Sequence, residues 1–220
     1  MENNIEHDHD VLGDDHVLTR VDTPMLPNAF DLSDDEKIAI ISGHFKEIMQ
    51  TLGLDLSDDS LKGTPLRVAK MYVKEMFWGL NPALKPAVSN FKNKYQYQQI
   101  LVEKDINFYT HCEHHFVPFF GKAHVAYIPN GKVIGLSKLN RMVEYFAKRP
   151  QVQERMTMQI SKALQEALGT PNVAVIINAK HLCVASRGIK DDTSNTTTAE
   201  YSGDFTQESV KEELHRLLNI

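Results

Sequence analysis

The chain has few cysteines and no long apolar stretch, and each shortage excludes a class of protein. Its two cysteines, Cys112 and Cys183, are too few for the disulfide framework of a small secreted domain. The longest uninterrupted apolar run, from Val173 to Ile177, is far shorter than the roughly 20 residues that a membrane-spanning helix requires. The acidic start of the chain is unlike a signal or transit peptide, so we expect a cytoplasmic protein without membrane contact.

Positive charge is almost absent from the N-terminus. The formal net charge of the 220 residues is −5, but residues 1–36 hold eleven acidic side chains and one Arg, a net −10. Residues 37–220 hold 23 Lys and Arg against 18 Asp and Glu, a net +5. The acidic total argues against a nucleic-acid partner, whereas the basic body is compatible with a small anionic ligand.

The composition supports one folded domain, because 42% hydrophobic residues are enough for a sizeable core. We predict an acidic, mobile tail over residues 1–30 and a helical region over residues 31–80. The remainder, residues 81–220, interleaves strands and helices and carries the candidate chemistry. Residues 31–220 are treated as one α+β domain.

Local signals place the individual elements. Ser33 and Glu36 form a capping-box pattern ahead of a helix that Gly53 ends. Ser137 and Thr206 are candidate N-caps of two later helices. The later elements predicted from periodicity are strands over residues 99–109, 122–128, 132–136, 172–178, 182–186 and 196–202, and helices over residues 137–148, 150–168 and 206–218.

A second N-terminal helix is predicted to begin at Thr64-Pro65. It places Arg67, Lys70 and Lys74 on one face, and spacing alone favours a solvated surface for this stripe.

The segment from Cys112 to His115 concentrates metal-competent side chains after the first long strand. Cys112 and His115 are three residues apart, so one tight turn could direct both at a single ion. The segment His181-Leu182-Cys183 has a strand pattern, in which residues two apart, here His181 and Cys183, would share a face. These residues favour a metal site, which could be a closed structural zinc site or a catalytic site with three ligands and a water. Two buried free cysteines with unrelated histidines are the remaining alternative.

Six segments, taken in order, resemble the GTP cyclohydrolase I family, and the resemblance extends from about Thr64 to Phe205. Several independent motifs at compatible spacing are more specific than any one of them. The segments are 110–118 (THCEHHFVP), 121–130 (GKAHVAYIPN), 135–141 (GLSKLNR), 149–155 (RPQVQER), 181–188 (HLCVASRG) and 193–198 (TSNTTT).

The resemblance implies a fold and an assembly. The fold is the tunnelling fold, an antiparallel sheet with helices packed on one face. Subunits join their sheets into a toroidal ring, and two pentameric rings stack into a decamer whose sites are built across subunit boundaries.

The resemblance also implies a zinc-dependent reaction. Cys112, His115 and Cys183 match the zinc ligands, and a zinc-bound water has a pKa near 7. That water attacks the carbon between the imidazole nitrogens of the guanine of GTP. Formate leaves, and sugar rearrangement gives 7,8-dihydroneopterin triphosphate, the first step of tetrahydrofolate biosynthesis.

The remaining site residues follow from the same motifs. His114 matches the general acid, His181 a second proton-handling group, and Ser137 a hydroxyl that assists at the sugar. Glu154 matches the carboxylate that binds guanine, with Gln153 beside it as a contact to sugar or base. The residues that match triphosphate binders are Lys138, Arg141, Arg187, Arg67 and Lys70. His111 and His124 match no functional position.

Two other classes of function remain as alternatives, a different reaction on the same fold and a non-enzymatic zinc-binding oligomer. Relatives with other chemistry alter the metal and proton-transfer positions, which are all present in this chain. A closed zinc site would give no reason for Lys138, Arg141 and Arg187 to accompany the ligands.

Overall fold

The computed structural model describes residues 21–87 and 90–219. Most of the predicted acidic tail, residues 1–20, lies outside the described residues. The last part of that tail contacts the body: the carbonyl oxygen of Val21 accepts a hydrogen bond from Gln159 at 2.7 Å, and Arg149 donates to Thr23 at 3.4 Å. Residues 21–23 therefore lie against the folded domain.

The N-terminal helices follow the local signals closely. Ser33 accepts a hydrogen bond from the Glu36 amide while the Glu36 carboxylate accepts from the Ser33 amide, so the predicted capping box is confirmed. The second helix is capped by Gly63, with Thr64 as its first residue. The elements are α1 (Asp34–Thr51), α2 (Thr64–Lys70), a π-helical turn (Met71–Met76) and two 3₁₀ turns (Trp78–Leu80 and Pro82–Leu84).

A five-stranded sheet forms the centre of the domain, with the order β5-β2-β3-β6-β7, and β1 pairs with β4 in a separate ribbon. Neighbouring strands are antiparallel except β2 and β5, which are parallel. The strands are β1 (Asn90–Lys92), β2 (Leu101–Cys112), β3 (Pro118–Tyr127), β4 (Lys132–Ile134), β5 (Pro150–Gln151), β6 (Val173–His181) and β7 (Thr196–Tyr201). The later helices are α3 (Leu136–Ala147), α4 (Gln153–Leu168), the single turn α5 (Leu182–Ala185) and α6 (Glu208–Leu218).

The main core lies between the sheet and the helices α3 and α4. Val175 and Ile177 of β6 are fully buried in it together with Leu164 of α4. On the other face of the same strand, Ile176 packs with Leu214 of α6 in a smaller cluster. The α+β architecture is confirmed, and α6 adds a helix on the face opposite α3 and α4. Covering both faces explains why the run 173–177 is apolar without alternation.

Several predicted boundaries differ from the structure. The strand predicted over residues 182–186 is wrong, because β6 continues to His181 and the chain then forms the helical turn α5. The helix predicted from Pro150 begins at Gln153, since Pro150–Gln151 pairs with β2. Ser137 and Thr206 are not N-caps, a position held by Gly135 and Gln207.

In the part of the chain that the structure describes, no helix is both long enough and apolar enough to cross a bilayer.

Candidate active site

The ends of β2, β3 and β6 meet at one edge of the sheet. His111 of β2 pairs with Pro118 of β3, and Phe119 of β3 pairs with His181 of β6. The β2–β3 turn therefore lies beside the start of α5, which carries Cys183. The two clusters that the sequence places about 70 residues apart are brought together here by antiparallel pairing.

The turn between β2 and β3 presents consecutive side chains at this edge. The Cys112 amide donates to the Val117 carbonyl at 2.9 Å, and the Phe116 amide donates to the Cys112 carbonyl at 2.8 Å. Phe116 has a positive φ of 55°, which reverses the chain direction. Cys112 is buried, whereas His114 and His115 are exposed.

The two thiols are reduced and lie beside each other. Burial, together with the neighbouring Cys112, raises the pKa of Cys183 to about 11. Sγ of Cys112 also lies 3.5 Å from Nδ1 of His114. The Cys183 thiol in such surroundings ionises with difficulty unless a cation is present, and a thiolate-binding metal would supply that cation.

His115 faces Arg187 in this structure. Nη1 of Arg187 lies 2.9 Å from Nε2 of His115, and since a guanidinium only donates, that imidazole nitrogen accepts. Within residues 21–87 and 90–219, no three His, Cys, Asp or Glu side chains are grouped as a ready metal site. The chemistry of the donors nevertheless suits zinc, which prefers thiolate and imidazole ligands.

His181 is held at the end of β6 by two contacts. Its ring stacks on Phe119 with centroids 4.4 Å apart and an interplanar angle of 9°. Its Nε2 lies 2.8 Å from Oε1 of Gln153. Burial lowers the pKa of His181, and the nearby Glu154 carboxylate opposes that shift. Glu154 itself is exposed in the first turn of α4.

Gln153 is only 2% exposed, and its amide is engaged inside the protein. Its Nε2 donates to the carbonyl oxygens of Ile177 at 3.0 Å and Thr196 at 2.9 Å. In the described structure, Gln153 thus holds His181 and binds the middle of strand β6 and the first residue of β7.

The reasoning from sequence missed an ion pair between Glu113 and Arg155. The two side chains form a bidentate pair in which Nη2 of Arg155 lies 3.2 Å from Oε1 of Glu113. The Arg155 side chain is 7% exposed and that of Glu113 is 21% exposed. One signal was available: an Arg in the first turn of a helix is disfavoured by the helix dipole and therefore calls for an anionic partner.

The predicted sugar and phosphate residues are dispersed within one chain. Arg187 contacts His115 of the Cys112–His115 turn. Asn140 of α3 donates to Glu103 at 3.1 Å, and Glu103 precedes Cys112 by nine residues of β2, roughly 30 Å at 3.3 Å per residue. Ser137 and Lys138, one turn before Asn140, thus lie toward the far end of β2, and Arg141 is exposed next to Asn140.

Arg67 and Lys70 lie on α2 in the N-terminal helical region. Arg67 donates to the carbonyl oxygen of Ser60 at 3.1 Å and to Oγ1 of Thr64 at 3.0 Å. Lys70 is exposed.

Comparisons with known proteins show the family of the chain. The family model described as GTP cyclohydrolase I matches residues 41–219. The chain is 58% identical over 204 residues to GTP cyclohydrolase 1 of Flavobacterium johnsoniae, covering 93% of this chain and 92% of that protein. It is 53% identical over 194 residues to the Aeromonas hydrophila protein of the same name, covering 88% of each. It is 51% identical over 201 residues to the Citrobacter koseri protein, covering 91% of this chain and 90% of that one.

Among solved structures, the chain resembles a crystal structure of the archaeosine synthase QueF-Like in the apo form. The TM-score is 0.38 at 19% identity, over 48% of this chain and 94% of that chain, a likeness too weak to argue from. The family match and the identities with full-length relatives decide the assignment. The chain belongs to the GTP cyclohydrolase I family.

Proposed function

We propose that this chain converts GTP to 7,8-dihydroneopterin triphosphate with release of formate, at the edge where β2, β3 and β6 end. The observation that carries the proposal is the side-by-side position of the reduced Cys112 and Cys183 thiols, in a chain of this family. Proton-transfer candidates flank them: His114 contacts Cys112, and His181 ends β6 two residues before Cys183.

Zinc is the proposed cofactor, with Cys112, His115 and Cys183 as its ligands. When bound, zinc lowers the pKa of a water to about 7 and so supplies a nucleophile at neutral pH. Two thiolates and one imidazole would be three protein ligands, the number typical of catalytic zinc sites. Nε2 of His115 accepts from Arg187 in this structure, so a metal would compete with the guanidinium for the one lone pair of the neutral imidazole. Both thiols must stay reduced, which fits a cytoplasmic location.

Residues of the chain itself transfer the protons and orient the reacting groups. His114 is the proposed general acid that protonates the ring nitrogen of guanine, a role that imidazole side chains commonly fill in enzymes. His181 is the second proton-handling group, and Gln153 and Phe119 hold its ring in one orientation. Fixing the reacting groups in this way lowers the entropic part of the barrier.

Substrate recognition is assigned to exposed charges near this edge. A carboxylate such as Glu154 can accept two parallel N–H donors from the guanine edge, a match that adenine lacks. Arg187, which contacts His115 of this turn, is the proposed phosphate ligand beside it. The further proposed contributions, to the sugar and the triphosphate, come from Ser137, Lys138, Arg141, Arg67 and Lys70.

A second copy of the chain is needed to complete this site. Within one chain, the helix that carries Ser137 and Lys138 starts at the Glu103 end of β2, away from Cys112. Two strand edges are open in the described part of the sheet, the outer edge of β7 and most of the β2 edge that β5 leaves uncovered. Open edges favour strand pairing between copies. We propose a decamer of two stacked pentameric rings, in which neighbouring copies supply complementary parts of each site.

Formate release tests the proposed reaction directly. Purified protein loaded with zinc is incubated with GTP, and formate and the fluorescence of the oxidised pterin product are both measured. We expect about one zinc per chain, since one ligand set is present, and formate and pterin in equal amounts. Zinc-loaded protein that releases no formate would contradict the proposal and favour a non-enzymatic zinc-binding oligomer. Turnover of GTP without a pterin product would favour a different reaction on the same fold.

A further inference from the structure

We propose that Glu113 and Arg155 are positioning residues, whose ion pair fixes the turn at residues 113–116 against the first turn of α4. The inference rests on the proposed function, because this turn carries the proposed general acid His114 and the proposed ligand His115. Neither charged side chain needs to touch the substrate for this role.

The turn is also held by contacts other than this ion pair. Two backbone hydrogen bonds close it, between Cys112 and Val117 and between Phe116 and Cys112. Phe116 adopts a positive φ, a conformation that persists only when surrounding contacts enforce it. The side chain of Phe116 is exposed in part, and its ring contacts those of Phe77 and Tyr72 with centroids 5.4 Å and 6.3 Å apart. Glu113 adds to these contacts an ion pair whose Arg155 side chain is only 7% exposed.

Glu113 is anchored through both its backbone and its side chain. Its amide donates to the carbonyl oxygen of Gln151 at 3.0 Å, next to the start of α4. Its two carboxylate oxygens accept from the two terminal nitrogens of Arg155. A bidentate pair fixes orientation as well as distance, since both groups are planar.

The Arg155 guanidinium donates its hydrogen bonds to the Glu113 carboxylate. Its side chain is 7% exposed, and its Nε is buried without a hydrogen-bond partner among the described residues. Burying such a pair adds little net stability compared with apolar residues of similar volume. A role in specifying one position of the turn therefore explains the pair better than a role in stability.

The first turn of α4 thereby fixes His181 at the end of β6 relative to the turn between β2 and β3. Gln153 holds His181 at the end of β6, and Arg155, two residues later, holds Glu113 between β2 and β3. Gln153 and Arg155 lie in the same helical turn, and the regular geometry of the helix fixes their relative positions. The helix thus sets the position of the imidazole on one strand relative to the thiol and imidazoles on the other.

The test uses the full chain with the substitutions Glu113→Gln and Arg155→Lys. Arg155→Lys keeps the charge but loses the planar fork, and Glu113→Gln keeps the shape but loses the charge. We expect zinc transfer to a chromogenic chelator to become roughly 10- to 100-fold faster in both, as for other residues that orient metal ligands. The absorption spectrum of the cobalt(II)-substituted protein should change, and kcat should fall with KM for GTP nearly constant.

Controls separate positioning from general stability. Glu208→Gln removes a surface ion pair with Lys211 and should leave zinc transfer and the cobalt spectrum unchanged. If Glu113→Gln and Arg155→Lys lower the thermal midpoint but keep wild-type zinc transfer and spectrum, the positioning role is wrong. Should Arg155→Lys not fold, the near-isosteric Glu113→Gln provides the same comparison. Neither metal readout requires turnover, so a wild-type protein that binds zinc but releases no formate contradicts the proposed function alone.

Discussion

Nε2 of His181 lies 2.8 Å from Oε1 of Gln153, and this contact determines which imidazole nitrogen carries the proton. The amide nitrogen of Gln153 donates to the carbonyl oxygens of Ile177 and Thr196, so its oxygen is the atom that faces His181. Because an amide oxygen only accepts, Nε2 of His181 must donate. Neutral His181 then has its lone pair on Nδ1, which is the nitrogen available for proton transfer.

Replacing Gln153 with Leu should lower kcat by roughly 10- to 100-fold, because the imidazole loses the contact that orients it. The carbonyl oxygens of Ile177 and Thr196 also lose a donor, which costs about 1–3 kcal/mol of unfolding free energy for each buried group left unsatisfied. Steady-state kinetics of formate release and thermal denaturation measure the two effects. Gln165→Leu on the same helix is the control, and it should affect stability alone. A higher KM with unchanged kcat would instead favour direct contact between Gln153 and the substrate.

Replacing His114 and His115 separately should show which of them transfers a proton and which of them binds the metal. We expect His114→Ala to lower formate release by roughly 10²- to 10⁴-fold while zinc is retained, since it removes the general acid. His115→Ala should lose zinc, since it removes a ligand. Metal analysis of the purified variants distinguishes the two. The opposite pattern would mean that His114, which contacts Cys112, is the ligand.

Replacing Glu154 with Gln should weaken the preference for GTP over ATP. The carboxylate is replaced by an amide that accepts at one atom only, and losing a charged hydrogen bond corresponds to roughly a 10- to 100-fold loss of discrimination. Because Glu154 is exposed, the thermal midpoint should not change. Competition between the two nucleotides gives the ratio of kcat/KM values. Glu166→Gln, an exposed position on the same helix, should keep wild-type selectivity, and equal selectivity in both variants would exclude the assigned role.

Co-expressing two inactive variants should restore activity if sites are shared between copies. In mixed oligomers of His114→Ala and Lys138→Ala chains, some sites receive an intact His114 from one copy and an intact Lys138 from another. Random assembly at equal ratio predicts activity of about one quarter of wild type. Purification through two different tags isolates the mixed oligomers.

The matched control for this experiment combines His114→Ala with His181→Ala. Both residues lie at the same edge of one chain, so no mixed site can be intact, and activity should not return. Activity that stays absent in the first mixture as well would place the whole site within one chain.

His124 should make the protein less stable at mildly acidic pH. Its Nδ1 accepts a hydrogen bond from the Asp105 amide at 3.2 Å. Burial lowers the pKa of His124 below its usual 6.5, the Asp105 carboxylate opposes the shift, and Lys104 and Lys122 assist it. Below pH 6.5, His124 therefore binds more protons in the unfolded chain than in the folded protein. Its contribution to the free energy of unfolding is fully present above pH 6.5 and is lost as the pH falls from 6.5 to the folded pKa.

Thermal denaturation between pH 7.5 and 5.5 measures this dependence, and His124→Gln should reduce its slope. The amide oxygen of Gln can still accept from Asp105, so the variant removes the titration with little change in packing. Burial also lowers the pKa values of His111 and His181, so part of the pH dependence of stability should remain in the variant. An unchanged slope in the variant would show that His124 contributes nothing.

Interactions between neighbours in sequence were readable without the fold. The Ser33 and Glu36 capping box needs only residues three apart, and Gly53 ends its helix with a positive φ as expected. The segment 182–186 was misread because its apolar residues suit either a strand or a helical turn. How far β6 pairs with β3 decides between them, and that pairing is a long-range contact.

The sequence by itself determined which chemical groups the site could use, because thiols, imidazoles and their spacing are properties of the chain. It also determined the family, since several motifs occur in order. Only the tertiary structure decided what each group contacts. Gln153 reaches His181 across 28 residues, and Arg155 reaches Glu113 across 42, through the position of α4 against the sheet. Such contacts depend on helix packing and strand register, which no local pattern encodes.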